Sequence, residues 1–236
     1  MARTDALDTI ANNLANSSTS GFRGTKNTFG SVLAGSGREL NSVLNEDTNS
    51  YGMLGATHLD MQAGALQSTG NSLDIGIEGT GFLAVQTANG TAYTRNGSLR
   101  ISAKGQLTTA SGDAVLGTGG VITVPRGASI NISSDGTLST DGTLIGKLKI
   151  VDFKPTANPQ SKGAGYYSVD PKQTVDATNS EVRQGMLENS NVNPVTSVIE
   201  LIDAQRAADG MRKALTMIDS EIDKTAATDL ARVTTS

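Results

Sequence analysis

The sequence predicts a mainly β chain with helical termini, an α+β protein. An antiparallel, turn-rich β domain is inserted between N- and C-terminal helices that form a coiled-coil-like assembly module. Two observations carry this reading. Apolar residues recur at helical spacing near both ends, and the text between them reads as short strands separated by Gly-bearing turns. The chain divides accordingly into an N-terminal helix and turn (1–25), a Gly/Ser/Asn-rich connector (26–70), a β domain (71–180) and a C-terminal helix and tail (181–236).

Leu7, Ile10 and Leu14 form an apolar stripe of about one heptad, too short to hold a helix in water alone, so a partner is expected. The hydroxyls of Ser17-Ser18-Thr19-Ser20 compete for backbone bonds and end the helix. Gly21 supplies a left-handed exit, and Phe22 an apolar plug behind it. In the connector Val32, Leu33, Leu40, Val43, Leu44, Met53 and Leu54 are isolated among Gly, Ser and Asn. This predicts an extended or partly disordered segment with room for a short strand or helix.

Strands are expected at 73–77, 82–86, 92–94, 98–102, 107–109, 114–116, 121–124, 130–132, 137–139 and 146–153. Asn89-Gly90, Asn96-Gly97, Lys104-Gly105, Asp135-Gly136 and Asp141-Gly142 supply turn chemistry between them. Around Tyr93-Thr94-Arg95-Asn96-Gly97-Ser98 two readings stay open: a hairpin tip with an edge Tyr, or a rigid face touching a neighbouring subunit.

At the C-terminal end Asn193 is a good N-cap, and Pro194 suits the first turn, where its missing N–H is no loss. Leu201, Ala204, Ala208, Met211, Leu215, Ile218 and Ile222 then keep a three-and-four spacing for about three heptads. Asp203, Arg206, Asp209, Arg212, Lys213 and Asp219 flank the stripe. An ordinary amphipathic helix on the protein's own core fits the same pattern.

Composition removes several function classes. A net charge of −4 without a Lys/Arg run argues against nucleic acid. No stretch approaches a membrane span, and the first residues lead straight into an amphipathic pattern, so no secretory signal peptide is read. Without Cys there is neither thiolate chemistry nor a disulfide framework. His58 is the single histidine, which leaves a zinc site short of ligands. No nucleophile elbow occurs, and Gly76-Ile77-Glu78-Gly79-Thr80-Gly81 lacks the Lys-Ser/Thr of a phosphate loop. Asp60, Asp74 and Asp113 sit at turns, where carboxylates accept backbone N–H bonds. No catalytic residue, cofactor, metal or small-molecule substrate is expected. With no Trp and 3% aromatic residues, no dense aromatic core is expected either.

Three segments carry a resemblance. Residues 7–22 (LDTIANNLANSSTSGF) are similar to the N-terminal signature of the flagellar rod and hook family, the axial proteins of the bacterial flagellum. Residues 184–206 (QGMLENSNVNPVTSVIELIDAQR) resemble its C-terminal signature, and 79–117 resemble the β domain of its rod members. Within the family, 114–125 with 145–153 look most like the proximal rod members, with the distal rod members as the alternative. The resemblance implies a structural subunit of the periplasmic rod, exported by the flagellar type III apparatus without a cleaved signal. Its partners would be copies of itself and other rod proteins. Family members carry more helix ahead of the position matched by Leu7, so the start is expected to be trimmed or assigned late. The implied assembly residues are Leu7, Ile10, Asn12, Asn13, Leu14, Asn16, Gly21 and Phe22, then Asn191, Val192, Asn193, Pro194, Leu201, Gln205, Arg206, Ala208, Met211, Leu215 and Ile218. The competing class is a secreted β-rich binding module whose helical ends form an oligomerisation stalk. Pairing of the two terminal segments within one subunit discriminates between them.

Overall fold

A computed structural model of the chain describes residues 2–30, 53–125, 127 and 129–233. The connector positions Val32, Leu33, Leu40, Val43 and Leu44 lie outside the described residues. The chain begins with α1 (Ala2–Ala15), then β1 (Thr25–Gly30), β2 (Met53–Leu59), β3 (Leu66–Ser68), β4 (Ile75–Glu78), β5 (Phe82–Thr87) and β6 (Gly90–Thr94). Next come β7 (Leu99–Ile101), β8 (Leu107–Thr109), β9 (Ala114–Gly117), β10 (Gly120–Val121), β11 (Ile130–Ile132), β12 (Thr137–Thr140) and β13 (Thr143–Lys147). The remainder is β14 (Ile150–Phe153), β15 (Gln160–Gly163), β16 (Tyr166–Ser168), β17 (Thr174–Asp176), β18 (Glu181–Gln184), β19 (Met186–Glu188) and α2 (Pro194–Val233). The protein is mainly β with one helix at each end.

The largest sheet runs β15-β16-β6-β5-β9-β8-β7, with β10 on β9 and β14 bridging β5 to β17. Its centre is β5, where Phe82, Leu83, Ala84 and Val85 are all at most 1% exposed. Alternate side chains of a strand point to opposite faces, so burial of four in a row means that both faces are covered. Leu83, Val85 and Ala92 point into one core with Ile75, Leu107, Val115, Leu138 and Val182. Phe82, Ala84 and Tyr93 point into a second core with Leu59, Val151 and Tyr167. In that second core Phe82 stacks on Phe153 at 4.4 Å between ring centroids, and Tyr167 meets Phe82 edge-on at 5.7 Å. A dense aromatic cluster therefore exists despite the low aromatic content, because the few rings are gathered on one face of β5 and β6.

Several strand expectations need correction. The single strand expected at 146–153 is two, because the chain changes partners at Leu148 and Lys149. β13 pairs with β12, whereas β14 pairs with β5 and β17. Strands β1, β2 and β3 occupy the stretch read as a connector, and their partners are remote: β1 pairs with β2, and β3 with β19. Strand β18 pairs with β4, so residues just before α2 complete the β region.

Candidate assembly site

Both helices leave one junction, α1 by its C-terminal end and α2 by its N-terminal end, and they pack side by side. They therefore run antiparallel within one subunit. Asn193 caps α2: its side-chain oxygen accepts from the N–H of Val195 at 3.0 Å and of Thr196 at 3.3 Å. At 1.5 Å per residue α2 is about 60 Å long and α1 about 21 Å, so most of α2 extends past its partner. Between the helices and the junction lies a cleft of about 640 Å³, walled by Ile10, Asn13, Asp60, Asn191, Ser197 and Ala204, among others.

The face of α2 turned to α1 carries buried Ser197 and half-buried Leu201, Ala204 and Ala208. A second apolar stripe lies roughly half a turn away. It consists of Val195 (68% exposed), Val198 (42%), Ile199 (55%) and Ile202 (43%). The helix is thus apolar on two faces, of which α1 covers one.

The junction is built from signature residues used inside the subunit. Asn13 imitates a strand partner for Thr25, accepting its N–H at 2.9 Å and donating to its carbonyl at 2.8 Å. Asn191 accepts from the Gly24 N–H at 2.8 Å and donates to the carbonyls of Asp60 and Gln62 at 3.1 and 3.0 Å. Gly21 has φ +68°, and a Cβ there would collide with the Arg95 carbonyl. Beside this crossing Lys26 pairs with Asp60 at 2.7 Å. Burial raises the Asp60 pKa, but bonds from Lys26 and the Gln62 N–H outweigh it and hold the carboxyl below its ordinary value.

Beneath the junction lies an ionic triad. Glu188 Oε1 is 2.7 Å from Arg23 Nη2, an ion-pair contact off hydrogen-bond alignment, and Oε2 accepts from Arg95 Nη1 at 2.9 Å. Arg23 and Glu188 are 1% exposed and Arg95 2%. Burial pushes the Arg95 pKa down, and the Glu188 charge opposes that. Other donors find carbonyls: Arg95 reaches Ile77 O at 2.8 Å and Gly79 O, and Arg23 reaches Gln62 O, while the Nε atoms of both arginines are buried without a hydrogen-bond partner. The Arg95 guanidinium also lies 5.2 Å from the Phe82 ring centroid. Tyr167 Oη accepts the Arg23 N–H at 2.9 Å.

Placement of the expected assembly residues is therefore mixed. Leu7, Ile10, Asn13, Leu14 and Asn16 are half-buried, Asn12 is exposed, and Gly21 and Phe22 are buried at the junction. Asn191 and Val192 are half-buried, Asn193 and Pro194 exposed. On α2 Leu201 and Ala208 are half-buried, while Gln205, Arg206 and Met211 are exposed. The side chains of Leu215 and Ile218 lie outside what is described. The hairpin-tip reading of 93–98 is corrected: Tyr93, Thr94 and Arg95 are buried, because β6 runs under the terminal segments instead of ending in a tip. Arg23, Arg95 and Glu188 carried no sequence signal beyond their place within or beside the matched segments. Among the described residues no His/Asp/Glu group converges to hold a metal, and no helix is long and apolar enough to cross a membrane.

Three family models match the chain in order. They are "Flagella basal body rod protein" at residues 1–23, "Flagellar hook protein FlgE/F/G D1 domain" at 76–140, and "Flagellar basal body rod FlgEFG protein C-terminal" at 183–227. The chain is 35% identical over 211 residues to the flagellar basal-body rod protein FlgF of Mesorhizobium japonicum, covering 88% of this chain and 84% of that one. It is 33% identical to FlgF of Salmonella typhimurium, covering 89% and 86%, and 32% identical to the rod protein FlgG of Buchnera aphidicola, covering 92% of each. With both helical ends folded onto one β body and relatives matched along most of its length, the chain belongs to the flagellar basal-body rod protein family.

Proposed function

We propose that this protein is a structural, non-catalytic subunit of the proximal part of the flagellar rod, FlgF-like in kind. Its copies, with other rod proteins, assemble into the helical axial shaft that carries motor torque across the periplasm. Export through the flagellar apparatus without a cleaved signal peptide belongs to the same reading. The helix pair forms the coiled-coil-like assembly module, and the β region stands outside it. Matches to FlgG-named relatives make a distal rod subunit the second reading.

The observation that carries the proposal is the uncovered stripe of Val195, Val198, Ile199 and Ile202 opposite the α1 face. Apolar surface of this kind marks an interaction site, and its occupant in this reading is the helical module of the next axial subunit. A patch that meets a different surface on its neighbour is heterologous, and repeated heterologous contacts build an open helix. The test is an Ile199→Asp, Ile202→Asp double variant, which places charge in that contact without touching either core. It is expected to fail to restore swimming to a deletion strain while its thermal unfolding matches the parent chain. Normal swimming with the double variant overturns the assignment of the stripe.

A further inference from the structure

The ionic triad joins three regions distant in sequence: Arg23 after α1, Arg95 at the end of β6, and Glu188 ahead of α2. We propose that Glu188 is a positioning residue that locks the terminal helix pair in one direction against the β body.

Each guanidinium is anchored on its own side before Glu188 is considered. Arg95 is held by the carbonyls of Ile77 and Gly79 and by the face of Phe82, all in the β body. Arg23 is held by the Gln62 carbonyl, and its backbone N–H by Tyr167. Glu188 is the group common to both. One carboxylate oxygen takes Arg95, and the other meets Arg23 and also accepts the Gly64 N–H at 2.8 Å. Its backbone carbonyl takes the Gly21 N–H at 2.7 Å. Three segments of chain, at 21–23, 64 and 95, therefore converge on one residue.

The surroundings leave no slack. A Cβ on Gly21 would collide with the Arg95 carbonyl, and one on Gly64 with the Asn189 carbonyl oxygen. Two guanidiniums this deeply buried need a carboxylate between them, since an unpaired buried charge is strongly unfavourable. The joint is consequently two-state. With the carboxylate in place both cations stay buried and the helices have one direction; without it at least one guanidinium must reach water, which the packing permits only if the joint opens. A glutamine cannot substitute, because it offers one acceptor oxygen and one donor nitrogen where the triad uses two acceptors.

The experiment exploits a chain that contains no cysteine. Labels at Gln205→Cys on α2 and Asn89→Cys on the β5–β6 turn, both exposed, report the distance between helix and β body by pulsed electron resonance. The free chain is used, so the result does not depend on the rod reading. The parent is expected to give one narrow distance. Glu188→Gln is expected to lose it for a broad distribution, with loss of exchange protection at the Gly64 and Gly21 amides and retention of the β-sheet circular dichroism. Glu188→Asp, which keeps the charge, is expected to recover much of the narrow component. A second variant separates positioning from stability: Arg23→Met, Glu188→Leu and Arg95→Met together remove every charge of the triad. A folded triple variant with a broad distribution supports the proposal. A narrow, parent-like distance in Glu188→Gln or in the folded triple variant overturns it.

Discussion

Replacing Gly21 by Ala tests how tightly the terminal segments are seated. Two separable penalties follow from the structure. The residue sits at φ +68°, in the left-handed region, where an L side chain loses about 1–2 kcal/mol. Its new methyl would also run into the Arg95 carbonyl group and come to 2.5 Å from the Asn96 nitrogen. These are backbone atoms of a buried crossing and cannot swing aside, so overpacking adds about 1–3 kcal/mol. The sum is about 2–5 kcal/mol, a large part of the ~5–15 kcal/mol that holds a typical domain together. Two other glycines divide the effect. Gly90→Ala, at φ +108° with nothing within 4 Å of the new methyl, isolates the backbone penalty. Gly64→Ala isolates the clash, since its Cβ would meet the Asn189 carbonyl without a positive φ. Urea unfolding followed by circular dichroism measures all three, with amide exchange at Gly24 and Thr25 locating any local opening. Gly21→Ala should exceed Gly90→Ala, and so should Gly64→Ala, whose Cβ would lie 1.9 Å from the Asn189 oxygen. A loss below about 1 kcal/mol, within the range of an ordinary surface substitution, would refute the argument.

Asn191→Ala should destabilise the chain by about 1–3 kcal/mol, because the Gly24 N–H and the Asp60 and Gln62 carbonyls lose one shared partner; an unchanged urea midpoint would contradict that. The Asp60–Lys26 pair gives a pH signature. The folded-state pKa of Asp60 lies below the ordinary 3.8, so the unfolded chain binds the proton more readily and stability rises with pH through this range. The contribution is complete above the unfolded pKa and is lost as pH falls through the folded one. Between about pH 5 and pH 3 the parent should lose more stability than Lys26→Met, as read from urea midpoints at each pH; parallel curves would show that the pair is not coupled to folding.

The helical ends were legible because their signals are local. Asn193-Pro194 opens α2 where a cap and a first-turn proline should, and Gly21 breaks the chain out of α1 with the positive φ expected of it. The Asn89-Gly90 turn likewise joins β5 to β6. What escaped was set by distant partners. Strand β3 is three residues whose partner is β19, and nothing in Leu66-Gln67-Ser68 announces that. Arg95 read as a turn residue because Asn96-Gly97 follows it, yet that turn closes no hairpin: β6 and β7 are not paired, and Gly97 lies flat against the Ile75 carbonyl. The expected α2 stripe names only the face that α1 meets and omits Val195, Val198, Ile199 and Ile202. Periodicity shows that Val195, Ile199 and Ile202 share a side, but only the docked α1 shows that theirs is the uncovered one.

The pairing of β18 with β4 has a consequence for timing. Val182 is 2% exposed in the larger core, and it reaches that place from the far end of the sequence, opposite Ile77. Glu188 arrives later still, yet without it Arg23 and Arg95 have no common counter-ion. Any process that delivers the chain N-terminus first, synthesis included, thus presents most of the larger core before the strand that closes it. Such distant closures are slow to form and cannot start until both partners exist. The larger core and the buried ionic triad are complete only once the strands just ahead of α2 are present.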